Sequence, residues 1–278
     1  MKLGLFGVNM GACAEPEHLV SAVRAAEEAG FDSVWAGEHV ILPDPQVPPS
    51  PMGPQDPALD PFIALTWAAS VTSTVSLATG IVIMPQRNPV VLAKQVASID
   101  VLSGGRFVLG IGVGYLEPEF RAIGANFEDR GAVTDEYLEA MQSLWYDEHP
   151  SYRGRFAAFE SVDAYPRPVQ KQLPVVVGGH TPRAFRRAVA RGHGWYGFAQ
   201  TPESAAAAIV GLREAAKRVE RPSELGELEI TVTPRGRFTK ESAAAFADVG
   251  VDRVVPVIYP PTPDGATQTI ENALGVTS

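Results

Sequence analysis

The sequence predicts a single (β/α)8 barrel domain spanning residues 1–278, and three observations support this prediction. The chain has 278 residues and a mass of 29.7 kDa, a size that α/β barrel domains commonly reach. Short, almost wholly apolar segments alternate with segments of helical periodicity, which is typical of a parallel sheet covered by helices on both faces. Eight such strand-and-helix units can be counted, which favours a closed barrel over the alternative, an open doubly wound sheet.

Four units make up the first half of the chain. In the first helix, apolar residues recur at helical spacing until Gly30 ends it. The third helix begins with Asn88 as its cap and Pro89 at its first position. Strands are predicted at residues 3–8, 33–36, 75–83 and 107–113, and helices at residues 17–29, 62–70, 90–102 and 134–145.

Four more strands complete the count. They are predicted at residues 174–177, 195–198, 229–232 and 253–258, with helices at residues 182–190, 202–219 and 241–248. The segment between the helix at 134–145 and the strand at 174–177 is predicted to be irregular. Residues 42–61 contain eight prolines, too many for a helix or a central strand, and therefore predict a long functional loop.

The composition excludes several classes of function. Hydrophobic residues make up 45% of the chain and charged residues 20%, as in ordinary folded proteins. The formal net charge is −9, and no run of basic residues could neutralise the phosphates of a nucleic acid. No apolar run is long enough to anchor the chain in a membrane. The single cysteine, Cys13, permits neither an intrachain disulfide nor a cysteine metal cluster, which fits the cytoplasm.

A glycine-rich segment after the fourth strand bears on the alternative fold. Gly110, Gly112 and Gly114 are similar at first sight to the fingerprint of dinucleotide-binding folds. The third glycine comes two residues after the second, where the fingerprint requires three, and Pro118 follows. The spacing therefore favours the barrel.

In a barrel, the active site lies at the carboxyl ends of the strands. Several clusters at these positions are rich in glycine, which lets a ligand approach the backbone and its N–H groups. This pattern suits a flat cofactor with an anionic tail, although βα turns also need glycine for their own geometry. The residues that we expect to contact a cofactor are Glu38, His39, Gly80, Ile81, Gly112, Gly114, Gly178, Gly179, His180 and Thr181.

Residues 178–181 indicate an anion site. They precede the helix predicted at 182–190, and the N-terminus of a helix stabilises a phosphate through its unpaired N–H groups and its dipole. Arg183 lies in the first turn of that helix, where a cation is otherwise unfavourable, so a bound anion would explain its presence. An ordinary surface arginine is the alternative interpretation.

Two residues are candidates for catalysis. His39 follows the second strand, where an imidazole can donate a hydrogen bond or exchange a proton near neutral pH. Glu117 and Glu119 follow the fourth strand in a predicted loop, and we take Glu117 as the candidate acid. No histidine pair has the spacing of a metal site, so no metal is predicted. At the opposite end of the barrel, Asp100 is predicted to pair with Arg106 in a stabilising turn.

Four segments of the chain resemble the bacterial luciferase-like flavin and deazaflavin enzymes. They are WAGEH at residues 35–39, ATGIVIMPQRNPVVLAKQVASIDVLSGGRFVLGIGVGYLEPEF at 78–120, RGAVTDEYLEAMQSLW at 130–145 and VVVGGHTPRAFRRAVARGHGW at 175–195. The resemblance runs from about residue 3 to residue 195 and weakens after it. It implies a TIM barrel whose active site at the C-terminal face binds either FMN or the 8-hydroxy-5-deazaflavin coenzyme F-420.

Within that family, the deazaflavin branch is more similar to this chain. The resemblance implies a strand bulge with a non-prolyl cis peptide bond between Gly80 and Ile81, behind the deazaflavin ring. It also implies that His39 lies near the ring and that residues 178–181 hold the cofactor phosphate. These expectations agree with the positions derived above from the ends of the strands.

The leading hypothesis is an oxidoreductase that transfers a hydride between coenzyme F-420 and a small organic substrate covered by residues 42–61. An FMN-dependent monooxygenase, and a barrel that binds a flavin or deazaflavin without turnover, are the alternatives. Sugar-phosphate dehydrogenases of the branch carry a tryptophan and a glutamate where this chain has Pro43 and Tyr115, which argues against sugar-phosphate oxidation. The resemblance also implies a homodimer.

Overall fold

The computed structural model describes residues 1–277 and shows parallel strands surrounded by helices. Its strands are β1 (Lys2–Phe6), β2 (Ser33–Ala36), β3 (Ser76–Thr79), β4 (Val82–Ile83), β5 (Phe107–Gly112), β6 (Tyr152–Arg153), β7 (Ala158–Phe159), β8 (Val175–Gly178), β9 (Gly194–Gln200), β10 (Glu229–Pro234) and β11 (Arg253–Val254). Its helices are α1 (Pro16–Glu28), α2 (Pro61–Val71), α3 (Pro89–Ser103), α4 (Glu117–Ile123), α5 (Arg130–Tyr146), α6 (Pro182–Arg191), α7 (Pro202–Ala216), α8 (Lys240–Val249) and α9 (Gly265–Thr277).

Eight strands close into a barrel in the order β1, β2, β3, β5, β8, β9, β10 and β11. All neighbours in this order are parallel, and β11 returns to pair with β1. β4 continues the line of β3 and pairs with β5, whereas β6 and β7 form a separate antiparallel hairpin. The predicted TIM barrel is therefore confirmed, and the doubly wound alternative is wrong because the first and last strands are bonded to each other.

Side chains of the strands divide between two apolar clusters because successive residues of a strand point to opposite faces. Leu5 and Val34 belong to the large cluster that the strands share with the surrounding helices. Their neighbours Phe6 and Trp35 belong to a smaller cluster inside the barrel. Trp35 stacks there on Tyr196, with ring centroids 5.1 Å apart. Both faces of the strands are buried, which is why their sequences are almost wholly apolar.

Side-chain caps start several helices. The predicted cap of α3 is confirmed, because the carboxamide oxygen of Asn88 accepts hydrogen bonds from the N–H groups of Val90 and Val91. Asp60 caps α2 in the same way, and Thr201 and Thr239 form capping boxes at α7 and α8. These caps satisfy N–H groups that the first turns of the helices leave without a partner.

The structure differs from the predicted elements in several places. The third strand is not continuous, because β3 and β4 are separated by Gly80 and Ile81, whose peptide bond is cis as predicted. The last predicted strand shortens to β11, since Pro256 has no N–H to donate to a neighbour. Glu117 begins helix α4 where a loop was predicted. The hairpin of β6 and β7 and the final helix α9 were not predicted.

The predicted pairing of Asp100 with Arg106 is wrong. The Asp100 carboxylate accepts hydrogen bonds from the backbone N–H groups of Val169 and Gln170 and from the Gln170 side chain. The Arg106 guanidinium instead donates to backbone carbonyls at the end of α2, including that of Ala69. Asp100 therefore fastens the irregular segment before β8 to the barrel.

The long loop between β2 and α2 contains no helix or strand, as predicted for residues 42–61, apart from the last residue, which begins α2. A buried side chain fixes its end: Asn9 Nδ2 donates to the carbonyl oxygens of Gly37 and Leu59, at 2.8 and 2.7 Å. Among residues 1–277, no helix combines the length and the apolar character needed to cross a membrane.

Candidate active site

A buried hydrogen bond joins two side chains that follow the C-terminal ends of β2 and β5. His39 follows β2, and Glu119 lies on α4, which follows β5. His39 Nδ1 is 2.9 Å from Glu119 Oε1, and the two side chains are only 8% and 1% exposed. These residues are 80 positions apart in the sequence. We centre the candidate active site on this pair because it lies where barrels place their chemistry.

The partner of His39 determines which nitrogen is available for chemistry. An ionised carboxylate only accepts hydrogen bonds, so we assign the proton on Nδ1 to the bond with Glu119. Nε2 of the neutral ring then carries a lone pair that can accept a proton, and Nε2 of the charged ring can donate one. Glu119 therefore fixes the orientation and the tautomer of His39, as the carboxylate of a catalytic triad does.

Gln86 donates a hydrogen bond to the second carboxylate oxygen of Glu119. Its Nε2 is 3.4 Å from Glu119 Oε2, and it lies in the 3-10 turn Met84–Gln86 directly after β4. Gln86 Oε1 is buried and has no hydrogen-bond partner among residues 1–277. Buried acceptors are normally satisfied, so this oxygen is a place where a bound molecule or a water would donate a hydrogen bond.

Tyr115 lies edge-on to His39, with ring centroids 6.3 Å apart and ring planes at 84°. Its ring is half exposed and follows the end of β5. Burial, and then the negative charge of Glu119, raise the pKa of its hydroxyl. Tyr115 therefore keeps its proton at neutral pH.

The two glutamates named from the sequence have different environments. Glu117 is 61% exposed, and its nearest cation is Arg121, one turn along α4 at 3.7 Å. Glu119 points inward from the same helix because α4 turns its two acidic residues in different directions. The structure thus brings Glu119 rather than Glu117 to His39, and a role for Glu117 as the acid stays a prediction.

The carboxylate of Glu38 is engaged by the protein. It accepts hydrogen bonds from the Ile83 N–H at 2.6 Å and from the Arg87 guanidinium, which also bonds to Asp60 at 2.6 Å. Burial raises the pKa of Glu38, and the charge of Arg87 opposes this rise. Glu38 thereby ties β2 to β4 and, through Arg87, to the start of α2. Its predicted contact with a cofactor stays a prediction.

Packing within the protein explains why several of the positions predicted to contact a cofactor are occupied by glycine. The Ile81 side chain occupies the space where Gly112 would carry a side chain, and it would lie 3.2 Å from a Cβ on Gly178. Gly114 has a positive φ of 78°, and a Cβ there would meet Phe120 at 2.6 Å. A Cβ on Gly80 would meet Phe6 at 3.0 Å. Cofactor contacts at Gly80, Ile81, Gly112, Gly114 and Gly178 stay predictions.

The segment before α6 offers unpaired backbone donors, as the sequence predicted. Thr181 caps the helix by accepting from the Ala184 N–H at 3.2 Å. The N–H groups of Gly179, His180 and Thr181 themselves have no hydrogen-bond partner within residues 1–277. Gly179 has a φ of 122°, and its carbonyl accepts from Trp195 Nε1 at 2.8 Å. Burial lowers the pKa of His180, which keeps its ring neutral near pH 7.

Sequence reasoning did not find the role of Gln86, and it named Glu119 without identifying its partner. The available signal for Glu119 was its position after the fourth strand, which put both Glu117 and Glu119 near the site. Choosing between them requires the direction in which α4 leaves the barrel. Within residues 1–277, no three His, Cys, Asp or Glu side chains lie close enough together to hold a metal ion.

Comparisons with known proteins add a family and a fold. Residues 3–257 match the family described as luciferase-like monooxygenase. An uncharacterised protein of Mycobacterium tuberculosis is 35% identical over 184 residues, which cover 63% of this chain and 65% of that protein. The chain thus spans just under two thirds of the length of this relative.

Two further matches carry names that refer to a cofactor. A putative coenzyme F-420-dependent oxidoreductase of Mycobacterium tuberculosis is 28% identical over 261 residues, which cover 90% of this chain and 70% of that protein. The solved structure of an F-420-dependent secondary alcohol dehydrogenase, in complex with an F-420–acetone adduct, aligns with a TM-score of 0.79. The two sequences are 17% identical, and the alignment covers 99% of this chain and 98% of that chain. The two proteins therefore share a fold.

Proposed function

The chain belongs to the luciferase-like monooxygenase family, and we propose that it is an oxidoreductase that transfers a hydride between coenzyme F-420 and a small organic substrate. The observation that carries the proposal is the buried pair of His39 and Glu119 at the C-terminal end of the barrel. The choice of F-420 is supported by the relative named as F-420-dependent, which matches 90% of this chain.

The residues present fit a cofactor that bears a phosphate. The unpaired N–H groups of Gly179, His180 and Thr181 lie at the N-terminus of α6, which is the arrangement that holds phosphates in many folds. These residues would hold the phosphate. When bound, the deazaflavin supplies the hydride donor or acceptor, and the barrel supplies orientation and the exclusion of water.

His39 handles the proton in this proposal. Hydride transfer to or from a carbon that bears oxygen changes the charge on that oxygen, which must then gain or lose a proton. Nε2 of His39 exchanges this proton with the substrate oxygen, while the hydrogen bond from Nδ1 to Glu119 fixes the orientation of the ring. The ring of Tyr115 lies edge-on beside His39, so its hydroxyl is a further hydrogen-bond donor that we propose for the substrate.

We also propose that the chain forms a homodimer through α2 and α3, which are neighbours in the ring of helices. α2 has no charged residue, and in α3 Lys94 donates to a backbone carbonyl while Asp100 is buried and fully bonded. Ile63, Trp67 and Val91 are nevertheless 67%, 52% and 56% exposed. Apolar faces of this kind mark interfaces, and a two-fold axis would cover the same face on both copies.

Titration with cofactors tests the proposed function. Purified protein is titrated with F-420 and with FMN, each oxidised and reduced, and the complexes are then mixed with alcohols, ketones and enones while the cofactor absorbance is followed. Substrate-dependent change in F-420 absorbance supports the proposal. Tighter binding of FMN by tenfold or more, about 1.4 kcal/mol, would instead favour the FMN-dependent monooxygenase. Binding without any substrate-dependent change would favour a non-catalytic barrel.

A further inference from the structure

The turn that follows β4 contacts both carboxylates that flank His39. Arg87 Nε donates to a carboxylate oxygen of Glu38 at 2.9 Å, and Gln86 Nε2 donates to Glu119 Oε2 at 3.4 Å. Glu38 precedes His39 in the sequence, and Glu119 is the hydrogen-bond partner of its imidazole. One short segment therefore binds the two acidic groups, the first with a cation and the second with a neutral amide.

The neutral amide leaves the negative charge of Glu119 available to His39. A cation in its place would form an ion pair with the carboxylate, as Arg87 does with Glu38, and would compete with His39 for it. Within residues 1–277, the Glu119 side chain has no partner other than His39 and Gln86, and it is only 1% exposed. Gln86 thus contacts the one carboxylate oxygen that His39 leaves free.

The other end of the Gln86 amide shows that stability does not explain this side chain. Gln86 is 8% exposed, and its Oε1 is buried without a hydrogen-bond partner among residues 1–277. A buried carbonyl oxygen without a partner destabilises a fold, and an apolar side chain of the same length would avoid that cost. Rotating the amide would place Oε1 against the Glu119 carboxylate, which also only accepts hydrogen bonds. What the amide contributes is therefore its bond to Glu119.

We propose that Gln86 is a positioning residue for proton transfer at His39, and that it acts through Glu119. The Gln86 amide fixes Oε2 of Glu119, so that Oε1 stays directed at Nδ1 of the imidazole and keeps the proton on that nitrogen. The other ring nitrogen, Nε2, then stays free to exchange a proton with a substrate. Only the effect on turnover rests on the proposed function, because the tautomer of His39 is a property of the protein without a cofactor.

Nitrogen NMR of the labelled protein tests the tautomer without a cofactor. The chemical shifts of the two ring nitrogens distinguish the neutral tautomers, and a His39→Asn variant assigns the His39 signals among the five histidines. At a pH where the ring is neutral, we expect the unmodified protein to carry the proton on Nδ1. Gln86→Met should show a mixture of both tautomers, because the carboxylate of Glu119 is no longer fixed. An unaltered tautomer in Gln86→Met would overturn the proposal.

Turnover and melting temperature separate positioning from a structural role. Gln86→Met removes the amide and keeps the length of the side chain, so its melting temperature should be unchanged or higher. We expect its kcat to fall about 3- to 10-fold while the dissociation constant of F-420 changes less than about twofold. Gln170→Met is the control, because Gln170 donates to Asp100 at 2.6 Å and to the Phe107 carbonyl at 2.8 Å, at the opposite end of the barrel. This control should melt at a lower temperature and keep its kcat.

A double substitution shows whether Gln86 acts through Glu119. In the Glu119→Gln variant, Gln86→Met should change kcat less than about twofold, because the effects of residues in one hydrogen-bond network are not additive. Equal losses of kcat in the unmodified protein and in Glu119→Gln would overturn the proposal, and so would a lower melting temperature of Gln86→Met with normal kcat. If the unmodified protein turns over no substrate with F-420, the proposed function fails, whereas the NMR result still decides whether Gln86 positions His39.

Discussion

Replacing Glu119 with Gln removes the negative charge beside His39 and keeps the size of the side chain. A glutamine amide presents either an oxygen or an N–H to His39 Nδ1, so it no longer imposes one tautomer on the ring. Hydrogen bonds to charged groups contribute about 1.5–3 kcal/mol, and each 1.4 kcal/mol changes a rate tenfold. We therefore expect kcat to fall about 10- to 100-fold, which is no more than the lower limit of the about 10²–10⁴ that general acid–base catalysis supplies, since Glu119 acts only through His39.

The assay is steady-state turnover with F-420 at saturating substrate, accompanied by a titration of the cofactor. Because Glu119 acts through His39, we expect kcat to fall while the dissociation constant of F-420 changes less than threefold. Glu117→Gln is the matched control, since it removes the same charge from the same helix at a side chain that is 61% exposed. Its kcat should stay within twofold of the unmodified protein.

Two results would refute this reasoning. Equal losses of kcat in Glu117→Gln and Glu119→Gln would show that turnover depends on the overall charge of α4. The contact between Glu119 and His39 would then have no specific role. A loss of cofactor affinity and of melting temperature in Glu119→Gln, with normal kcat at saturation, would show that Glu119 only stabilises the fold. In that case His39 would need no carboxylate partner for turnover.

Four further predictions address single features of the structure. His39→Asn keeps a hydrogen-bond donor but cannot exchange the proton, so turnover should fall at least tenfold with cofactor binding intact; unchanged turnover would make His39 structural. Gly179→Ala places a Cβ 2.9 Å from that of Ala184 at a φ of 122°, so F-420 affinity should weaken by about 1–3 kcal/mol. An unchanged titration would remove Gly179 from the phosphate site. Trp67→Glu introduces a charge into the face of α2 and should convert dimers to monomers, as measured by light scattering; persistent dimers would place the interface elsewhere. Burial raises the pKa of Glu27, but hydrogen bonds from the N–H groups of residues 73–75 outweigh it and lower this pKa from 4.5 to about 2. The stability that this shift supplies is present above pH 4.5 and is lost as the pH falls toward 2, so Glu27→Gln should flatten acid unfolding in that range.

Patterns among residues that are near in sequence were sufficient to predict most of the fold. The alternation of apolar strands with helices predicted the barrel, and Asn88 before Pro89 predicted the start of α3, because capping depends on residues within one turn. The strand at 33–36 was predicted with its observed bounds. The positions of His39 and of residues 178–181 followed from the rule that barrel sites lie after strands.

Contacts between distant segments could not be predicted in the same way. Asp100 and Arg106 are close in sequence, yet Asp100 bonds to Gln170, because the segment before β8 lies against the start of β5, where Gln170 also donates to the Phe107 carbonyl. Ile81 and Gly112 fit each other only because β4 and β5 are neighbours in the closed sheet.

In the candidate site too, nearby residues predicted the positions of side chains but not the contacts between distant segments. Local patterns in the sequence were enough to put His39 at the end of a strand and two glutamates after the fourth strand. That Glu119 reaches His39 Nδ1 while Glu117 faces solvent became visible in the folded chain alone. A strand or a helix is set by residues a few positions apart. A contact across 80 residues depends instead on the closure of the barrel and on the direction in which α4 leaves it.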